Sequence, residues 1–189
     1  MPLSVNQPYL VVHEPEPDGL GNTVNTTTVF LTASTCPIGC NMCDLHVNTL
    51  PTATPPGAIT RQIDVALKDS QADWLKLYNS GNFFDPKSIP PVDYPAIADR
   101  CRHFSRVIVE NHPRFGNHRL RQFMDLIECD LEIAVGLETV QPRWLKRLQK
   151  QMSRDDFSRY ASELKNIGAG LRVFLILGVP GCDVTEAVR

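Results

Sequence analysis

An excess of charge of either sign is missing from this 189-residue chain: 19 lysines and arginines stand against 21 aspartates and glutamates, a formal net charge of −2. That balance gives no general attraction to nucleic acid or to an anionic membrane surface. Long apolar runs are missing too, and no stretch approaches the roughly 20 uninterrupted apolar residues that a membrane helix needs. The first eight residues, Met1-Pro-Leu-Ser-Val-Asn-Gln-Pro8, lack the basic-then-apolar order of a secretory signal. A disulfide framework is absent as well, because three of the six cysteines are bunched and Cys101, Cys129 and Cys182 are scattered. The expectation is a reducing compartment, the cytoplasm, with no membrane partner. The length suits one domain with a sizeable core, or a part of something larger.

What is present is concentrated in eight residues, Cys36-Pro-Ile-Gly-Cys40-Asn-Met-Cys43. They follow the β-branched run Thr26-Thr-Thr-Val-Phe-Leu31, so a buried strand delivers three thiols onto a loop. Three thiolates this close can hold iron or zinc, one short of the four ligands of a closed structural site. In a 4Fe-4S cluster the shortfall leaves one iron open to a small chelating ligand. The alternative is a zinc-stabilised binding domain in which Cys36, Cys40, Cys43 and His46 close a tetrahedral site.

The remainder alternates strand and helix. Residues 1–24 form a proline-, glycine- and asparagine-rich extension whose one apolar run, Tyr9-Leu-Val-Val12, reads as a hairpin or edge strand. Core strands are expected at about 26–34, 74–78, 106–110, 131–135 and 171–177. Helices follow from Ile59, Ile63 and Leu67, from Tyr94, Ile97, Ala98 and Cys101, and from Leu120, Phe123 and Ile127. Pro142 suits a further helix start, and Phe157, Tyr160 and Leu164 mark another helix, stopped by Gly168 and Gly170. Five short apolar strands separated by helices argue a parallel α/β sheet with the helices outside it.

Ligands of parallel sheets bind beyond the carboxyl ends of the strands, so the polar residues there are the site candidates. They are Asn79-Ser80-Gly81-Asn82, Glu110-Asn111-His112, Gly136-Leu137-Glu138 and Gly178-Val-Pro-Gly181. Glu110 and Glu138 are expensive to bury unpaired. A ligand amine or ribose hydroxyls would satisfy them, as would ion pairs with Arg106, Arg143 or Arg172. Arg143, Lys146, Arg147, Lys150 and Arg154 form a basic stripe at helical spacing, the pattern of a solvated face more often than of an RNA contact.

The C-x3-C-x2-C spacing after a strand resembles the signature of the radical S-adenosylmethionine superfamily. The segments Leu77–Pro86, Val107–Pro113 and Val135–Thr139 resemble the branch that contains the elongator catalytic subunit's radical domain and the archaeosine synthase radical subunit. The resemblance spans most of 26–181. It implies a partial (β/α)6 TIM-like barrel over 25–189, truncated after its fifth strand because Asp183-Val-Thr-Glu186 opens a new helix just before Arg189. It implies a 4Fe-4S cluster on Cys36, Cys40 and Cys43 that cleaves S-adenosylmethionine reductively to a 5′-deoxyadenosyl radical.

The family's residue before the last cysteine is usually aromatic and packs near the adenine; here it is Met42, apolar and adaptable enough to fill that space. Asn79, Ser80 and Gly81 match the motif that touches the methionyl amine, and Glu110, Glu138 and Gly178 fall where other polar parts of the cofactor are held. An electron donor such as flavodoxin or ferredoxin is implied, and known branch members act on transfer RNA. A barrel that keeps its cysteines but does no chemistry is the remaining alternative.

Overall fold

A computed structural model describes residues 3–187. Six strands form one sheet in the order β1-β2-β3-β4-β5-β6: Leu10–Pro17, Thr23–Phe30, Trp74–Tyr78, Arg106–Glu110, Asp130–Glu138 and Gly170–Leu175. The apolar run at residues 9–12 does open an edge strand, antiparallel to β2 from Leu10 opposite Phe30 to Pro17 opposite Thr23. Every later pairing is parallel. Helices α1 (Ala58–Leu67), α2 (Tyr94–Cys101), α3 (Asn117–Met124), α4 (Pro142–Arg147) and α5 (Arg154–Asn166) fill the connections, and α6 (Val184–Ala187) follows β6. No helix among the described residues is long and apolar enough to cross a membrane.

The first core strand stops four residues earlier than its sequence pattern implies. Phe30 is its last residue; the Leu31 amide still donates to Tyr78 O at 2.7 Å, and beyond it the chain leaves the sheet, with Ser34 bridging to Leu50 and Ala33 accepting from the Leu50 amide at 2.8 Å. Residues 31–34 are buried all the same, so their apolar character reflects burial rather than sheet pairing.

Alternation within the strands divides the interior in two. Val29, Leu75, Leu77, Val107, Val109, Ile133 and Val135 face the helices and join Ile59, Ile63, Ile97 and Leu164 in the main core. Four aromatic rings, Phe83, Phe84, Tyr94 and Phe123, pack there at centroid distances of 5.0–6.3 Å. On the opposite face Trp74, Ile108 and Ala134 form a small apolar layer, and beside it lies a chain of ion pairs. Lys76 pairs with Glu16, Arg172 with Glu132 and, at 3.0 Å, with Glu16, and Arg106 with Glu132 at 3.3 Å.

The Glu16–Arg172 pair fixes the shape of the sheet. It joins β1 to β6, the two edges, whose backbones are not paired. In a flat sheet strands five places apart lie roughly 24 Å from each other, about twice what these two side chains can span. The sheet is therefore strongly curled, with the ion pairs inside the curl, yet it is not closed by backbone hydrogen bonds.

Gly116 caps α3 with a left-handed backbone (φ +88°), and a Cβ there would overlap the Cβ of Phe84 and sit 3.0 Å from its Cγ. Gly116→Ala combines backbone strain with overpacking and is expected to cost about 3 kcal/mol. Urea unfolding of the variant against wild type checks it.

Candidate active site

The carboxyl ends of β2–β6 surround a cavity of about 310 Å³. Its wall is made by the cysteine loop after β2, residues 80–82 after β3, residues 110–112 at the end of β4, Gly136 and Glu138 in β5, and Phe174 and Ile176 at the end of β6. Parallel strands make this convergence unavoidable, because all their carboxyl ends lie on one edge of the sheet.

Cys36, Cys40 and Cys43 are half-buried and all line the cavity. Burial pushes the Cys36 thiol up against the opposing pull of the Ile38 amide and the Asn82 side chain. Burial also pushes up Cys40, where the Lys150 ammonium opposes it, and each of these thiols is raised further by charge on Cys43. The three groups thus lie within electrostatic reach of one another. Among the described residues, however, no three His, Cys, Asp or Glu side chains converge on one point as a single metal ion requires. His46 is exposed in the short 3-10 turn Leu45–Asn48. Three soft thiols lining one cavity are donors that an iron–sulfur cluster takes, and zinc takes them as well.

The cysteine loop is tied to the α4–α5 connector. The Asn41 amide donates to Leu148 O at 3.0 Å, its side chain donates to Arg147 O at 2.9 Å, and Gln151 Nε2 donates to Ile38 O at 2.6 Å. Within that connector Lys150 is buried, although its sequence spacing puts it in an exposed basic stripe; α4 ends at Arg147, and the helical period does not extend to it. Arg143, Lys146, Arg147 and Arg154 are exposed.

Lys150 turns inward to Glu138 Oε1 at 2.9 Å, the two side chains being 9% and 11% exposed. The arginines offered by the sequence as partners are engaged elsewhere: Arg106 and Arg172 with Glu132, Arg143 with Glu186. Gly136 makes the pair possible, since a Cβ there would overlap Glu138 Oε1 and lie 2.8 Å from Lys150 Nζ. The four non-glycine residues of positive φ among those described are Ser80, Glu138, Gln149 and Gln151, all in the cavity wall or flanking Lys150. Backbone strain of this kind concentrates where a site must be held in one geometry.

Glu110 lies across the cavity, its Oε2 atom buried without a hydrogen-bond partner. Burial lifts its pKa to about 7, against the pull of the Asn79, Gly81 and Ser80 amides. His112 has no proton to trade. Its Nδ1 accepts from the Arg114 amide at 3.2 Å, which leaves Nε2–H to donate to Lys150 O at 2.9 Å, and burial depresses its pKa to about 4.

Of the remaining expected cofactor contacts, Met42, Ser80 and Gly81 line the cavity. Asn79 is fully buried behind it, donating to Ser88 Oγ at 2.6 Å. Gly178 lies outside the lining, exposed in a turn beyond β6. The inward turn of Lys150 and the particular roles of Gly136 and Asn82 are not legible in the sequence; Gly136 and Asn82 carried a signal, their place at strand ends, and Lys150 carried none.

Two outcomes are expected. Lys150→Met strands the Glu138 carboxylate and should cost about 3 kcal/mol in urea unfolding, most of it recovered when Glu138→Gln is added. For Glu110, folded pKa exceeds the unfolded value of 4.5, so the native state holds the extra proton and stability falls as pH rises from about 4.5 to about 7. The loss reaches about 3 kcal/mol, and thermal unfolding of wild type against Glu110→Gln over this range should show the difference closing at low pH.

No protein-family model and no curated protein matches this chain. Among solved structures it is similar to a queuine lyase from Clostridium spiroforme bound to SAM and queuine, with a TM-score of 0.56 and 16% identity over 94% of this chain and 86% of that one. At that identity the likeness is one of α/β fold alone.

Proposed function

We propose that this chain is a radical S-adenosylmethionine enzyme, with a 4Fe-4S cluster held by Cys36, Cys40 and Cys43. The observation that carries the reading is one cavity lined both by three thiols and by Glu110, whose Oε2 is buried without a partner. Three thiolates leave one iron for the amino and carboxylate groups of S-adenosylmethionine, and a buried carboxylate oxygen without a partner calls for a cationic or hydrogen-bond-donating ligand. The fold likeness to a lyase bound to SAM and queuine supports a cavity of this kind holding the cofactor together with a second small molecule.

When bound, the cluster supplies the electron that cleaves the sulfonium to methionine and a 5′-deoxyadenosyl radical. The chain's own residues bind and orient. Ser80, Gly81 and Glu110 are assigned to the methionyl ammonium, with Glu110 ionising as it accepts that charge. Met42 is assigned to the adenine and Glu138 to ribose hydroxyls, while Lys150 holds the Glu138 carboxylate in place. Ile38, Leu45, Phe174 and Ile176 give the cavity an apolar lining. The substrate is left unassigned; the segments that resemble the elongator and archaeosine branch make RNA modification one candidate reaction.

The test is an anaerobic iron and sulfide assay with a visible spectrum on wild type and Cys40→Ala. A brown wild-type protein with about four irons per chain, bleached in the variant, is expected. Addition of S-adenosylmethionine and dithionite should then release 5′-deoxyadenosine. A colourless protein carrying one zinc overturns the proposal.

A further inference from the structure

One hydrogen bond at the cysteine loop links a buried amide to a cysteine sulfur. Asn82, 2% exposed, points its amide nitrogen at Cys36 Sγ over 3.2 Å, while its Oδ1 accepts from the His112 backbone amide at 2.8 Å. The orientation is forced. Turning the amide over would set its NH2 group against the His112 N–H, two donors facing each other in a buried place. His112 cannot yield, because both ring nitrogens are already bonded, to the Arg114 amide and to Lys150 O. The backbone beside it is equally close, since a Cβ on Gly81 would lie 3.5 Å from the Cys36 Cβ. Among the described residues Cys36 is the one cysteine of the loop that receives a side-chain hydrogen bond.

We propose that Asn82 is a positioning residue that donates a fixed hydrogen bond to the Cys36 sulfur and so raises the reduction potential of the cluster held there. The inference rests on the functional reading above. One-electron reduction by an external donor adds one negative charge, shared with the thiolate sulfurs, and transfers no proton. A donor aimed at one of those sulfurs stabilises the more negative state, as outer hydrogen bonds do at metal centres generally. Because the Asn82 amide is oriented before any ligand arrives, this stabilisation requires no rearrangement on reduction.

The test is a potentiometric titration, followed by EPR of the reduced cluster, on anaerobically reconstituted wild type, Asn82→Asp and Asn82→Leu. The carboxylate introduced by Asn82→Asp keeps an acceptor for the His112 amide but faces the sulfur with an acceptor too, so this variant separates support of the loop from donation to sulfur. Both midpoints are expected to move to more negative potential. For Asn82→Leu the shift is about tenfold in the reduction equilibrium, or ~59 mV for a one-electron couple, and for Asn82→Asp it is larger. Unchanged midpoints in both variants, with the wild type carrying its cluster, overturn the role of Asn82 and leave the functional reading intact. If Asn82→Leu does not fold, the smaller Asn82→Ala, which removes the amide donor without adding charge, decides in its place. A wild type that takes up no cluster overturns the functional reading and this inference together.

Discussion

Burying the Glu138 carboxylate beside three thiols is possible only because the Lys150 ammonium reaches it, and much of the site is arranged around that contact. Lys150 comes from a connector rather than a regular element, so its position has to be imposed. The left-handed backbone of Gln149 and Gln151 on either side aims it, the His112 imidazole holds its carbonyl, and the cysteine loop bonds to its neighbours Arg147, Leu148 and Gln151. Gly136 leaves the space. Each of these devices costs something locally, and together they are offset by sparing an unpaired buried charge.

The same constraint governs the lower half of the curled sheet. Its inner face carries Lys76, Glu132, Arg172 and Glu16, charges that could not be buried singly but satisfy one another in a chain from β1 to β6. The curl they maintain brings β6, with Phe174 and Ile176, round to the cysteine loop to complete the cavity wall. Without curvature the ends of β2 and β6 would lie too far apart for one small ligand to touch both.

How much of this was legible in the sequence depended on the range of the interaction. Strand and helix periods are local, and β3 to β6 lie close to where the apolar runs placed them. The exception, residues 31–34, shows the limit of that signal: apolar character reports burial, and a buried segment need not be paired in the sheet. Lys150 is the complementary case. Its spacing from Lys146 is helical, but the helix ends at Arg147, and a charge read as solvated is turned inward. The partner of Glu138 was equally hidden, because Arg106, Arg143 and Arg172 were compatible in sequence and the fold brings Lys150 to it instead.

Residue order alone set the alternation of strands and helices, the edge on which a site would form, and the three thiols placed there. Those follow from side-chain periodicity and from a geometric property that all parallel sheets share. Tertiary structure decided which charges meet across more than a hundred residues, as Glu16 meets Arg172, and which polar atoms stay unpaired, as Glu110 Oε2 does. It also decided that Asn82 faces Cys36. Pairing energies fall off over a few ångströms, so they are set by the folded path of the chain and leave no periodic trace along it.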